Sequence, residues 1–73
     1  MSYEVKAQMP SKVIAINVNP GDDVTAATEI ITVESMKMEM PITADVDGVI
    51  EAINTEVGAT VPKDFVLATI ESK

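Results

Sequence analysis

Shifted by 37 positions against itself, the chain aligns Lys12–Met36 with Val49–Lys73 without a gap. Eight pairs are identical: Ala15/Ala52, Ile16/Ile53, Asn17/Asn54, Gly21/Gly58, Val24/Val61, Thr32/Thr69, Glu34/Glu71 and Ser35/Ser72. Val13/Ile50, Ile30/Leu67 and Val33/Ile70 are conservative matches. A unit this short is too small to bury an apolar face by itself, so two similar units must complete one core together. The 73 residues therefore read as one domain, 1–73, built on the internal repeat 12–36 / 49–73.

The apolar residues say what kind of core that is. Ten valines and eight isoleucines stand against one leucine, one phenylalanine and no tryptophan, a set that favours strands over helices. Turn signals fall at matching places. In Asn19–Asp22, Pro20 fixes φ and Gly21 is free to take φ > 0, which suits a type II turn; Gly58 occupies the corresponding position. Asp47–Gly48 and Pro62–Asp64 are further breaks. Between them, partial alternation predicts strands at Tyr3–Gln8, Val13–Val18, Glu29–Ser35, Met38–Thr43, Val49–Thr55 and Val66–Glu71. The fold class is all-β, a small sandwich or flattened barrel with one repeat on each side.

Several functions are excluded by what the chain lacks. Without cysteine or histidine there is no disulfide, no thiolate site and neither of the commonest zinc ligands, so no metal centre is expected. A net charge of −7 with five lysines and two aromatic rings argues against nucleic acid and for basic protein partners. No stretch has the length or character of a membrane span, and the expectation is a soluble, cytoplasmic, monomeric domain.

One segment breaks the local rules. From Glu29 to Ala44 only Pro41 is a turn-type or strand-breaking residue, yet a continuous strand of about 15 residues would run roughly 50 Å. A compact chain of this size is only about 30 Å across. The first repeat's strand should stop near Ser35, as its counterpart stops at Ser72, so the reversal falls on Met36–Lys37–Met38. Tight hairpins favour Asn-Gly or Asp-Gly, and neither methionine nor lysine takes φ > 0 cheaply. A rule broken without local compensation points to function. The repeat also sets Lys37 opposite the chain terminus, projecting from one end of the domain. A competing local reading is a helix, since Ile30, Val33, Met36 and Met40 have helical spacing; the β-branched run Ile30–Val33 opposes it.

Other candidates are weaker. Asp45, Asp47 and Glu56 fall at positions of a calcium loop, but Val49 replaces a ligand and Ile50 the required glycine. Asp22 and Asp23 read as turn and surface. Lys63 is a second turn lysine without flanking methionines, and so an internal control for Lys37.

The segment “ESMKMEMPITADVDGVI”, Glu34–Ile50, closely resembles the attachment motif of biotinyl domains, in which a lysine between two methionines carries biotin. With “NVNPGDDV”, the repeat, the following “DG” and “EVGATV”, the resemblance to the biotinyl/lipoyl attachment family extends over almost the whole chain. It implies a flattened β-barrel of two four-stranded antiparallel halves related by a pseudo-two-fold axis, with the modified lysine on an exposed hairpin. By position, Lys37 would carry biotin in amide linkage. Met36 and Met38 match the flanking methionines that favour biotin over lipoate, and Glu34, Ser35 and Glu39 are positions a ligase would read. Ser35 stands where many such carriers have alanine. The short “NPGDD” leaves no room for the protruding thumb of some relatives.

The implied partners are a biotin protein ligase and the biotin carboxylase and carboxyltransferase of a biotin-dependent carboxylase or decarboxylase. The implied role is shuttling carboxyl groups between those two sites, with no catalytic residue in the carrier. A lysine amine is neutral in only about one molecule in a thousand near pH 7. Enzymic lysine nucleophiles need an apolar pocket or a cationic neighbour, whereas Lys37 has Glu34 and Glu39 nearby and suits a substrate's part. The alternatives are a lipoyl carrier or dual biotin/lipoate acceptor, and an unmodified β-barrel interaction module whose tip contacts a partner directly.

Overall fold

The computed structural model describes residues 2–73. Eight strands follow in order: β1 Ser2–Lys6, β2 Ser11–Ile16, β3 Asp23–Val24, β4 Glu29–Ser35, β5 Met38–Thr43, β6 Gly48–Ile53, β7 Thr60–Val61 and β8 Val66–Ser72. Among the described residues there is no helix, so none is long and apolar enough to cross a membrane. The helical reading of the methionine segment is thereby overturned. Four consecutive β-branched residues, Ile30–Val33, crowd a helix but pack well on a pleated sheet.

The strands form two four-stranded antiparallel sheets, β1-β8-β6-β3 and β5-β4-β2-β7. The 37-residue shift carries β2 onto β6, β3 onto β7 and β4 onto β8 with matching ends. The ladders match as well. Lys12↔Glu34 and Val13↔Val33 in β2–β4 become Val49↔Glu71 and Ile50↔Ile70 in β6–β8, and each ladder shifts register at the next residue. Even isolated bonds recur: Gly21 N–H donates to Ile50 O and Gly58 N–H to Val13 O, both at 2.8 Å. This is pseudo-two-fold symmetry at the level of single hydrogen bonds.

The repeats do not simply take one side each, as sequence alone suggests. Strand β3 of the first repeat pairs with β6 of the second, and β7 of the second pairs with β2 of the first. Each sheet is thus completed by its neighbour's two-residue strand. Such strands are too short to carry a periodic pattern, and they exist only because a partner ladder from the other repeat is there to receive them. The core lies between the sheets, with Val13, Ile30, Ile31, Val33, Ile50, Leu67 and Ile70 fully buried. Each repeat contributes residues that the other covers.

The turns follow their chemistry. Asp22 N–H donates to Asn19 O at 3.1 Å around Gly21 at φ 96°, and Ala59 N–H to Glu56 O at 3.1 Å around Gly58 at φ 95°. Gly48 differs from expectation: it opens β6 and is buried, rather than serving as a turn glycine. Along the edges, β1 and β5 border an open groove of about 850 Å³ lined in part by Tyr3, Met9, Met40, Ile42 and Lys63.

Candidate functional site

The molecule measures 34 × 17 × 17 Å, so a single strand from Glu29 to Thr43 could not fit and the chain reverses. It does so in two residues. Strand β4 ends at Ser35, β5 begins at Met38, and Ser35 and Met38 are cross-strand partners. The loop is Met36–Lys37; Met38 belongs to the strand. Met36 has φ 53° and Lys37 φ 64°, the left-handed pair that a tight, twist-matched hairpin requires. For L-residues other than glycine this conformation costs about 1–2 kcal/mol each. The rest of the hairpin holds it there. Val33 is buried and its partner Met40 packs against the core, clamping the ladder two residue pairs below the tip.

Beyond that clamp the side chains reach solvent. Met36 is 88% exposed, Met38 65%, and Lys37 is exposed between them. The Lys37 ammonium has no ion pair among the described residues, whereas Lys6 pairs with Glu4 at 3.7 Å and Lys73 with Asp23 at 4.0 Å. Glu34 and Glu39 face each other across the strands, both exposed, one pair below the tip. Like charges in such a pair are mildly destabilising. Lys12 on β2 is the ladder partner of Glu34 on its other side, without an ion pair among the described residues. Lys37, Met36, Met38, Glu34 and Glu39 thus form one exposed tip.

Ser35 has a different part. Its hydroxyl donates to Pro10 O at 3.1 Å, tying the end of β4 to the connection before β2. By its place in the sequence Ser35 reads as a ligase-facing residue, and no local pattern names Pro10 as its acceptor. A Ser35→Ala variant is expected to lose about 1 kcal/mol, lowering the melting temperature in a thermal scan by roughly 4–8 °C.

The remaining candidates resolve into structure. Asp45 accepts from the Thr43 hydroxyl at 2.6 Å, Asp47 from Ala26 N–H at 3.0 Å, and Asp22 from Asn19 N–H at 2.8 Å. These carboxylates pin turns, and no metal-holding cluster of acidic residues occurs among the described residues. Lys63 is exposed in the turn between β7 and β8, on the rim of the groove.

Chemically, the tip offers one primary amine, free of ion pairs, on a short rigid support and between two thioethers. The groove along β1 and β5 is not lined by Met36, Lys37 or Met38. Residues 3–70 match the family described as biotin-requiring enzyme. The chain is 34% identical over 70 residues to the human mitochondrial propionyl-CoA carboxylase alpha chain, covering 96% of this chain and 10% of that protein. It is 30% identical over 70 residues to the biotinylated protein TB7.3 homolog of Mycobacterium leprae, covering 96% of this chain and 99% of that one. Among solved structures, Kluyveromyces lactis urea carboxylase matches with a TM-score of 0.90 at 24% identity over 96% of this chain and 6% of that one. The chain therefore spans about a tenth of one relative and nearly all of another.

Proposed function

The chain belongs to the biotin-requiring enzyme family and is a biotin carrier domain, and from that premise we propose that Lys37 is the residue to which biotin is attached. The observation that carries this is the conformation of the tip: a lysine held at φ 64° next to a methionine at φ 53°, exposed and without an ion pair among the described residues. Such a loop is a costly way to turn a chain and an effective way to present an amine. The residues fit the group, since an amide at Lys37 Nζ would lie wholly in solvent and displace no packed side chain.

Loading needs an external biotin protein ligase. The ligase deprotonates Lys37; Nζ then attacks the acyl carbon of a biotinyl-adenylate, the amide bond forms and AMP leaves. Met36 and Met38, flexible and polarisable, are the side chains that adapt to the ligase surface. Glu34, Ser35 and Glu39 complete the face it meets.

When bound, biotin supplies an atom that accepts and gives up a carboxyl group. The chain's own residues hold no transition state; they carry the group between a biotin carboxylase and a carboxyltransferase, raising its effective concentration at each once the domain has docked. The net charge of −7 suits basic docking faces on these partners. We take residues 1–73 as one such domain, monomeric, working in the cytoplasm where a ligase meets it on folding. Incubation with biotin ligase, ATP and biotin is expected to add one biotinyl group, and tandem mass spectrometry of the proteolytic peptides should place it on Lys37. Biotin on Lys12 or Lys63 instead would refute the assignment.

A further inference from the structure

The two most exposed methionines of the described chain flank the acceptor amine. Met36 is 88% and Met38 65% exposed, against 37% for Met9, while Met40 is half-buried against the core. Thioether oxidation follows access, and it turns a soft apolar side chain into a polar, chiral one. We propose that Met36 and Met38 are a paired oxidation site that gates cofactor loading: in the thioether form the hairpin is a ligase substrate, and in the sulfoxide form it is not. The inference rests on the reading that a ligase docks on this tip.

The oxidant is a hydroperoxide. A sulfur lone pair attacks one peroxide oxygen, the O–O bond breaks and an S–O bond forms. Sulfur loses two electrons, and the departing peroxide oxygen takes up a proton and leaves as water from hydrogen peroxide or as an alcohol from an organic hydroperoxide. Reversal takes two thiols, which become a disulfide as the oxygen leaves as water. The fold has no reason to respond, because both side chains lie outside the core. The effect falls on docking. A sulfoxide oxygen driven into an apolar ligase surface loses its water without a partner, which corresponds to roughly a tenfold or greater loss in the rate of loading per buried sulfoxide.

The test treats the unmodified protein with hydrogen peroxide, removes the oxidant with catalase, and then adds ligase, ATP and biotin. Peptide mapping is expected to find sulfoxide at Met36 and Met38 ahead of Met40, thermal melting to be unchanged, and loading to fall at least tenfold, recovering after treatment with methionine sulfoxide reductases. The Met36→Leu/Met38→Leu variant, whatever its starting rate, should load at a rate that peroxide does not alter. Equal loading of oxidised and untreated wild type would overturn the proposal, as would a peroxide effect that persists in the double leucine variant. Failure of untreated wild type to load at all would instead count against the carrier reading.

Discussion

A Gly48→Ala variant is expected to lose a large share of the domain's stability. An added Cβ at this position would lie 2.9 Å from both the Glu71 carbonyl carbon and Ile70 Cγ2, and closer still to the Glu71 carbonyl oxygen. Two of those atoms are backbone, so the neighbour does not yield by changing rotamer. Gly48 pairs with Ser72 on one side and with Val24 on the other. Moving it therefore disturbs β8 and β3 together. Overpacking of this kind costs about 3 kcal/mol, against the roughly 4–11 kcal/mol available to a domain of this size. The melting temperature should drop by roughly 12–24 °C. Gly21→Ala is the control: nothing lies within 4 Å of its added Cβ, and only the left-handed φ of 96° penalises it. A Gly48→Ala melt no lower than that of Gly21→Ala would show that the ladder is not as tight as described. The repeat itself explains the asymmetry. Ser11 is the counterpart of Gly48, and the β2–β4 ladder begins one pair later, at Lys12↔Glu34, leaving Ser11 room for a side chain whose hydroxyl donates to Met9 O at 2.8 Å.

Replacing the loop by the residues its geometry calls for, Met36→Asn with Lys37→Gly, is expected to stabilise the domain while ending its use as an acceptor. Both positions have positive φ. Asparagine tolerates that region and glycine has no penalty there, so about 1–2 kcal/mol per residue is relieved, less roughly 0.5–1 kcal/mol for the extra chain entropy of glycine. A net gain of about 1–3.5 kcal/mol, a rise of roughly 4–28 °C in melting temperature, follows. Loading by biotin ligase should vanish. The pairing of greater stability with lost function is what a strained functional turn predicts. A variant that melts below wild type would mean that the Met-Lys loop is comfortable and was not retained against a cost.

Much of this was legible in the residues, for physical reasons that differ from element to element. Strands β4 and β5 match their expected limits, Glu29–Ser35 and Met38–Thr43, because β-branched content and the length argument act together there. The expected strands at Tyr3–Gln8, Val13–Val18 and Val49–Thr55 each begin and end one or two residues earlier in the fold, because the chain leaves the ladders ahead of its turns. Two-residue strands such as β3 have no local signal; their pairing energy comes from residues more than twenty positions away. Gly48 looked like turn chemistry beside Asp47, whereas its cause is a close backbone approach that only assembled sheets create. The Lys37 tip was readable because it violates local preference. The Ser35–Pro10 bond was not, because a serine beside a turn is unremarkable until its acceptor arrives from 25 residues away.

The carrier role depends on acylation of one amine at one turn. The most direct test is the intact mass of three proteins, each co-expressed with a biotin ligase: wild type, Lys37→Arg and Lys63→Arg. Arginine keeps the positive charge but offers no amine nucleophile. Wild type and Lys63→Arg should each gain the mass of one biotinyl group, and Lys37→Arg none. A full mass gain in Lys37→Arg, lost instead in Lys63→Arg, would contradict the account.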